Sequence, residues 1–455
     1  MIPLRRFPRM HFTGIGGAGM APLAAWYAAR GFRVTGTDRQ NSSNLAWLCQ
    51  QGVDARFPHD PVLATQCDLL VRTSAVGEDH PEVRAALEAG IPVVRRAEAL
   101  GEATRGSHAL CIAGTHGKTT TTLMVARILR EAGLQPCSLP GGIPSNPEDA
   151  LVPGATGALV VETDEYDRTF LCLHPAAAVI TNLEEDHLDC YRDLEDLREA
   201  FAKFLSELPF HGYALLCADD PEAAALAKAT RATVFTYGIT SPATYRGIEH
   251  ADGSMTVLLH GKELVKFRLS VPGRHNRLNA LAALALSHCE GADPAIAARA
   301  LAGFLGARRR LDLVGSLNEC PIYDDYAHHP TEIEATLQAV REMGPLRKIA
   351  IVFQPHLYSR TKHFCEAFAQ ALAKADRAFL TPVYPARETP DQGLGAESIL
   401  EKAPRGAHLE LVAGRDEAVE AMRALALCGE DWALLFVGAG DVGSWTLDLV
   451  LGRGV

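Results

Sequence analysis

No stretch of this chain approaches the roughly 18 consecutive apolar residues that a membrane-spanning helix needs, so no stable membrane insertion is expected. There is no excess of positive charge either. Lys and Arg number 44 against 55 Asp and Glu, a formal net charge of -11 without a long basic stripe, which excludes a protein whose main task is gripping nucleic acid. None of the 11 cysteines stands in a C-x-x-C pair. Their scatter suits reduced thiols in a cytoplasm better than a disulfide framework or a zinc site, with most serving as small core residues. No repeat or low-complexity tract interrupts the chain, and the glycines in MIPLRRFPRMHFTGIGGAGM make it a strand, a turn and the start of a helix rather than a signal sequence. A cytoplasmic location and a monomer or weak homodimer are the expectations.

At 455 residues the chain exceeds one ordinary core, and roughly 100–200 residues per domain gives two to four domains. Strand-like apolar runs alternate with helical patterns throughout, so the class is α/β. Three domains are expected: a Rossmann-like one over 1–106, a central P-loop ATPase-like one with a β-rich extension over 107–310, and a Rossmann-like doubly wound one over 311–455.

The chain is organised around ALCIAGTHGKTTTT, Ala109 to Thr122. Ala109–Ala113 reads as a buried parallel strand, and from Thr119 the pattern turns helical until Gly133. Between them lie Gly114, Thr115, His116, Gly117, Lys118, Thr119 and Thr120. Two glycines let backbone N–H groups turn inward around a phosphate, and the helix N-terminus adds positive potential. Lys118 can reach the outer phosphates and the Thr119 hydroxyl can hold Mg²⁺. Ile112 occupies the place of the first glycine of the usual pattern.

Earlier in the chain, strand Met10–Thr13, the loop Gly14, Gly16, Gly17, Gly19, a helix to Gly31 and strand Phe32–Gly36 make a dinucleotide-type unit, with Asp38 placed for a ribose. Ser74, at a strand end, is either a ligand contact or a helix cap. A nicotinamide oxidoreductase needs only one phosphate loop; two point to two phosphorylated ligands. After the P-loop, strand Gly157–Val161 delivers Glu162, Asp164, Glu165 and Asp167 toward it. Glu162 is expected at a metal, the others as solvated loop acids. His187 follows the next strand, as a second metal ligand or a substrate contact. Residues 213–271 supply the β-rich extension. Asn276 and Asn279, one helical turn apart, could read an adenine edge or cap a helix. The run Arg308–Arg310 is either a basic linker or the source of a guanidinium that offsets phosphate charge. The last segment carries polar strand-end loops at Asp324–Pro330 and Gln354–Arg360, with a helix expected after Arg360.

In this order, GIGGAGM, GTHGKTTTT, ETDEYDRTFL, TNLEEDHLD, PGRHNRLNALAA, DDYAHHPTEI and FQPHLYSRT resemble the Mur ligases of peptidoglycan synthesis, nearly end to end and most of all their alanine-adding branch. The resemblance implies an ATP- and Mg²⁺-dependent ligase that joins L-alanine to UDP-N-acetylmuramate, the sugar nucleotide replacing NAD at the N-terminal glycine loop. It puts Lys118 and Thr119 at ATP and Mg²⁺, Glu162 and His187 at metal ions, Asn276 and Asn279 at the nucleotide, and Arg310 and Asp325 as contacts from the C-terminal side. Tyr326, His328 and Arg360 would hold the amino acid, and His329 would take a proton. Two departures stand out. ETDEYDRTFL differs from the commoner EADES-type string and resembles the muropeptide-recycling ligase, which adds a tripeptide. Leu357 stands where many alanine-adding members carry arginine. The rivals are that recycling ligase and a catalytically silent nucleotide-binding regulator.

Overall fold

Short apolar runs, each followed by a polar or glycine-bearing turn and a helical stretch, fold into three sheets. The computed structural model describes residues 7–146, 149, 157–186, 190–344, 347–386, 388–389 and 395–451. The chain divides into two compact units. Met1–Ile143, Pro147–Arg268 and Asn279–Phe304 form the first, while Pro144–Asn146, Leu269–Leu278 and Leu305–Val455 form the second.

In the first unit, β1 (Arg9–Thr13), β2 (Arg33–Thr37), β3 (Asp54–Arg56), β4 (Leu69–Arg72) and β5 (Val93–Arg95) make a parallel sheet in the order β3-β2-β1-β4-β5. The order reverses at β1, so the glycine loop that follows β1 lies at the switch point where open parallel sheets take their ligands. Helix Met20–Ala28 is buried on nearly every side, as its run of apolar residues requires.

The same unit holds a nine-stranded sheet of β6 (Ala109–Ala113), β7 (Cys137–Leu139), β8 (Leu159–Glu162), β9 (Ala177–Ile180), β10 (Tyr213–Cys217), β11 (Thr233–Gly238), β12 (Tyr245–Glu249), β13 (Ser254–Leu259) and β14 (Lys262–Arg268). Its order is β14-β13-β12-β11-β10-β9-β6-β8-β7. β6 is buried along its whole length between β8 and β9, which is why it reads as an unbroken apolar run. The β-rich extension is an edge of this sheet, turning antiparallel at β12, β13 and β14.

The second unit's sheet runs β15-β16-β20-β17-β18-β19, from β15 (Asp312–Leu317), β16 (Cys320–Asp325), β17 (Lys348–Phe353), β18 (Arg377–Leu380), β19 (Leu409–Leu411) and β20 (Trp432–Val437). Only the β15–β16 pair is antiparallel among these strands. Both faces are covered. Ile349, Ile351 and Phe353 enter one core and Ala350 and Val352 the other, the period-two alternation of a doubly wound sheet.

One element is added to those the sequence suggests. The helix expected after Arg360 is Cys365–Leu372, and a separate short helix, Tyr358–His363, precedes it with Arg360 inside. Its first N–H groups are taken by a distant side chain: Glu388 accepts from Tyr358 N at 2.5 Å and from Ser359 N at 3.1 Å. A carboxylate at a helix start satisfies N–H groups that the helix itself leaves open, and no local pattern announces one that lies 29 and 30 residues away.

Candidate active site

The P-loop is shaped by backbone angles that only glycine takes easily. Gly114 has φ +133° and Gly117 φ +81°. A Cβ at Gly114 would lie 2.0 Å from Thr181 Oγ1, and one at Gly117 would lie 2.4 Å from Asn279 Oδ1. The loop is stitched to the end of β9: Thr115 N donates to Asn182 O (3.0 Å), His116 N to Asn182 Oδ1 (2.8 Å) and Thr181 Oγ1 to His116 O (2.6 Å). His116 Nε2 also lies 3.3 Å from Glu184 Oε2. Helix Lys118–Glu131 starts directly at Lys118, so its open N–H groups face the loop. Thr119, Thr120, Thr121 and Thr122 are all buried in its first turns.

Lys118 and two acids, Glu165 and Glu162, meet at this loop. Lys118 Nζ donates to Gly114 O (2.7 Å), Thr115 O (3.0 Å) and both carboxylate oxygens of Glu165 (2.7 and 3.0 Å). Glu165 is therefore not the solvated loop acid the sequence suggests. It is 1% exposed, and Tyr191 Oη donates to its carbonyl at 2.6 Å. Asp167 is exposed at φ +53°. Glu162 ends β8, and its Oε1 accepts from Thr119 Oγ1 at 2.9 Å while Oε2 accepts from Gly141 N at 2.5 Å. Burial pushes the Glu162 carboxyl up, and the Gly141 N–H, the Lys118 charge and the Thr119 hydroxyl oppose this without cancelling it. A hydroxyl and a carboxylate oxygen 2.9 Å apart form an oxygen-only donor pair, the chemistry Mg²⁺ prefers. The glycine cradle, the helix start and Lys118 fit a nucleotide phosphate chain. His187 lies outside the described residues.

The N-terminal glycine loop is held by the end of β2. Gly14 N and Ile15 N donate to Thr37 O at 2.8 and 3.0 Å, and Gly16 N to Asp38 Oδ2 at 2.9 Å. Asp38, expected at a ribose, is engaged with the loop's own backbone. Gly17 N closes the turn on Gly14 O, and a Cβ at Gly19 would meet the Arg96 guanidinium at 2.8 Å. Ser74 lies exposed in the turn after β4 and caps no helix. The following helix, Pro81–Glu88, has His80 as its N-cap.

Helix Arg274–Cys289 carries both asparagines, Asn276 in the second unit and Asn279 in the first. Asn276 Nδ2 donates to Pro272 O at 2.7 Å, a local bond of the helix start.

In the second unit, Arg310 sits between two residues of positive φ, Arg309 and Leu311. The guanidinium carbons of Arg309 and Arg310 lie 4.8 and 5.4 Å from the centre of the Tyr326 ring, which braces both cations. Arg310 Nη1 is 3.5 Å from Glu332 Oε1. Asp325 accepts from Leu311 N (2.8 Å), Ala327 N (2.8 Å) and Thr336 Oγ1 (3.1 Å), so it ties the arginine turn to the loop after β16. Burial raises its pKa to about 6, and the Arg310 charge opposes this. His328 N donates to Glu332 Oε2 at 2.9 Å. His329, proposed as a proton acceptor, is the N-cap of helix Pro330–Met343, its Nδ1 accepting from Thr331 N at 3.4 Å. Arg360 is buried, with Nη1 3.3 Å from His356 Nδ1, and Leu357 is buried at φ +69°. The pairing of Glu165, and the roles of Glu388 and Glu332, escaped the sequence reading because carboxylates in loops and first turns are ordinarily solvent-facing.

The domain family "Mur ligase family, catalytic domain" matches residues 9–108, "Mur ligase middle domain" 112–287 and "Mur ligase, glutamate ligase domain" 309–440. The solved UDP-N-acetylmuramate-alanine ligase MurC of Thermotoga maritima is 30% identical over 98% of each chain, with a TM-score of 0.80. This chain belongs to the Mur ligase family. A murein peptide ligase of Psychrobacter arcticus is also similar, at 25% identity over 98% of this chain and 99% of that one, with a TM-score of 0.71. The Neisseria UDP-N-acetylmuramate:L-alanyl-gamma-D-glutamyl-meso-diaminopimelate ligase is 30% identical over 66% of this chain and 99% of that chain, with a TM-score of 0.59. As a Mur ligase, the chain is an ATP-dependent amide-bond-forming enzyme of peptidoglycan synthesis. No helix among the described residues is long and apolar enough to cross a membrane.

Proposed function

We propose that this Mur ligase joins L-alanine to the carboxylate of UDP-N-acetylmuramate, giving UDP-N-acetylmuramoyl-L-alanine, ADP and phosphate. The observation that carries the reading is the junction of Lys118, Thr119 and Glu162 at a glycine cradle. The strings DDYAHHPTEI and FQPHLYSRT and the 30% identity with the Thermotoga alanine ligase support alanine as the amine.

A carboxylate and an amine do not condense at neutral pH without activation. The muramoyl carboxylate oxygen attacks the γ-phosphorus of ATP, the bond to the β-phosphate oxygen breaks, and an acyl phosphate and ADP result. The neutral amine of alanine then attacks the acyl carbon, phosphate leaves, and the surplus amine proton passes to a base. Bringing one anion to another is the main barrier, and fixed positive charge where negative charge develops lowers it. Lys118 and the N–H groups at the start of helix Lys118–Glu131 supply that charge, and Arg310 is proposed to add to it. Thr119 and Glu162 are the residues proposed to hold Mg²⁺, which neutralises phosphate charge when bound. Asn279, beside Gly117, is proposed at the nucleotide, and Tyr326, His328 and Arg360 at the amino acid, where orientation alone contributes strongly.

ETDEYDRTFL and the similarity to the murein peptide ligase favour a second reading, in which a tripeptide is the amine. Mass spectrometry of products from ATP, Mg²⁺, UDP-N-acetylmuramate, an equimolar amino-acid mixture and the tripeptide L-Ala-γ-D-Glu-meso-diaminopimelate separates the two. An adduct one alanine residue heavier than the sugar nucleotide is expected. An exclusive tripeptide adduct overturns the alanine reading, and no ATP consumption with any amine overturns both.

A further inference from the structure

A carboxylate with no access to solvent lies beneath the N-terminal glycine loop and takes no part in the chemistry above. Glu82 stands in the first turn of helix Pro81–Glu88 and is 0% exposed. Its Oε1 accepts from Thr37 Oγ1 at 2.5 Å and from Asp60 N at 2.7 Å. Its Oε2 faces His59 Nδ1 at 3.4 Å and His11 Nε2 at 3.6 Å. Thr37 Oγ1 also lies 2.9 Å from His59 Nδ1. A hydroxyl has one proton to give, and with that proton on Glu82 the His59 contact requires Nδ1–H as the donor.

Burying a charge costs several kcal/mol unless it is well paired, and a small apolar side chain would cover the sheet without that cost. Burial pushes the Glu82 carboxyl up, yet its His11 and Thr37 partners outweigh it and take it down to about 2, so it stays ionised. The residue it grips explains its presence. Thr37 uses its hydroxyl for Glu82 and its carbonyl for the N–H groups of Gly14 and Ile15, and the next residue, Asp38, takes the N–H of Gly16. Three consecutive N–H groups of the glycine loop thus hang on the end of β2, and Glu82 is the anchor of that strand end.

We propose that Glu82 is a positioning residue for sugar-nucleotide binding, acting through Thr37 to hold the Gly14–Gly16 backbone in its ligand-ready form. This rests on reading the glycine loop as the site of UDP-N-acetylmuramate. A charge-assisted bond at the anchor point leaves the loop backbone unable to sag toward β2, and the ligand then does not have to order it.

The test is calorimetric titration of the full-length protein with UDP-N-acetylmuramate and, separately, with an ATP analogue. Gly16→Val is the control for the site, since a Cβ there would already meet Leu45 Cδ1 at 2.7 Å and Asp38 Oδ2 at 2.9 Å. Thr37→Val and Glu82→Gln are each expected to weaken the sugar nucleotide by about tenfold or more. Thr37→Ser keeps its hydroxyl and its affinity, and ATP-analogue affinity is unchanged in all of them. The Thr37→Val, Glu82→Gln double variant is expected to be no weaker than the worse single one. If Thr37→Val and Glu82→Gln bind like wild type while Gly16→Val does not, the inference is overturned and the site reading stands. Parallel loss of ATP-analogue affinity, or losses that add in the double variant, also overturns it. Absence of binding by the wild type removes the site reading and the inference with it.

Discussion

Lys118 and Glu165 form a buried ion pair, Nζ 2.7 Å from Oε2 and 3.0 Å from Oε1. Burial alone would lower the lysine's pKa. The charges of Glu165 and Asp164 outweigh it and hold it above the ordinary lysine value, so the ammonium is charged at neutral pH. Removing one partner of a buried pair typically costs about 3–5 kcal/mol because the other charge is left uncompensated. Glu165→Ala is therefore expected to lower unfolding stability by roughly that amount, read by chemical denaturation, and to weaken ATP use at pH 7. A stability equal to wild type would show that the pair is not maintained in solution.

Lys118→Ala is expected to abolish acyl-phosphate formation, with a rate loss of about 10³ or more, because the fixed charge proposed to act on the transferring phosphate disappears. Hydroxylamine trapping of the activated carboxylate reads this step. Binding of UDP-N-acetylmuramate, measured by calorimetry, should survive, since the glycine loop proposed to take it is held by Thr37 and Asp38, not by the P-loop. Loss of both together would count against two separate phosphate cradles.

Gly117→Ala should remove ATP binding with little effect on the sugar nucleotide. The backbone at φ +81° costs an L-residue about 1 kcal/mol, and the new Cβ would lie 2.4 Å from Asn279 Oδ1. Fluorescent nucleotide binding checks the first effect, and thermal melting should show a drop of a few degrees. The double variant Gly117→Ala, Asn279→Ala separates the causes: relief of the crowding at Asn279 is expected to restore part of the lost melting temperature without restoring nucleotide affinity.

Thr119→Val keeps the shape of the helix start and deletes the hydroxyl 2.9 Å from Glu162 Oε1. The expected result is a rise of about tenfold or more in the Mg²⁺ concentration giving half-maximal ATP turnover. Chelation with EDTA should stop turnover by the wild type and excess Mg²⁺ should restore it. An unchanged Mg²⁺ requirement in Thr119→Val would remove Thr119 from the metal site.

Asp325 sets a pH dependence whose sign follows from its environment. Its folded pKa, about 6, lies above the 3.8 of an unperturbed aspartate, so the fold favours the protonated form. Its contribution to stability is greatest below about pH 4, falls as pH rises through about 6, and is constant above that, a loss of roughly 3 kcal/mol. The stability of wild type minus that of Asp325→Asn, from urea unfolding between pH 4 and 8, should fall by about that much. A difference independent of pH would contradict the buried, raised carboxyl.

Local pattern alone determined the α/β class, the two glycine-bearing strand-to-helix loops and the doubly wound last segment. Parallel strands covered on both faces read as apolar runs such as ALCIA and WALLFV, and a loop that must take positive φ reads as glycine. Gly117, Lys118 and Thr119, next to one another in sequence, were legible as a turn into a helix for the same reason. Tertiary structure alone decided that Glu165 is buried under Lys118, that Asp38 serves its own loop, that Glu388 starts the helix at Tyr358, and that Glu82 holds Thr37. A carboxylate looks the same in sequence whether it meets water or a partner 20 to 50 residues away. Only the packing of strands and helices around it chooses between solvation and pairing, and in the folded chain that choice places the charge.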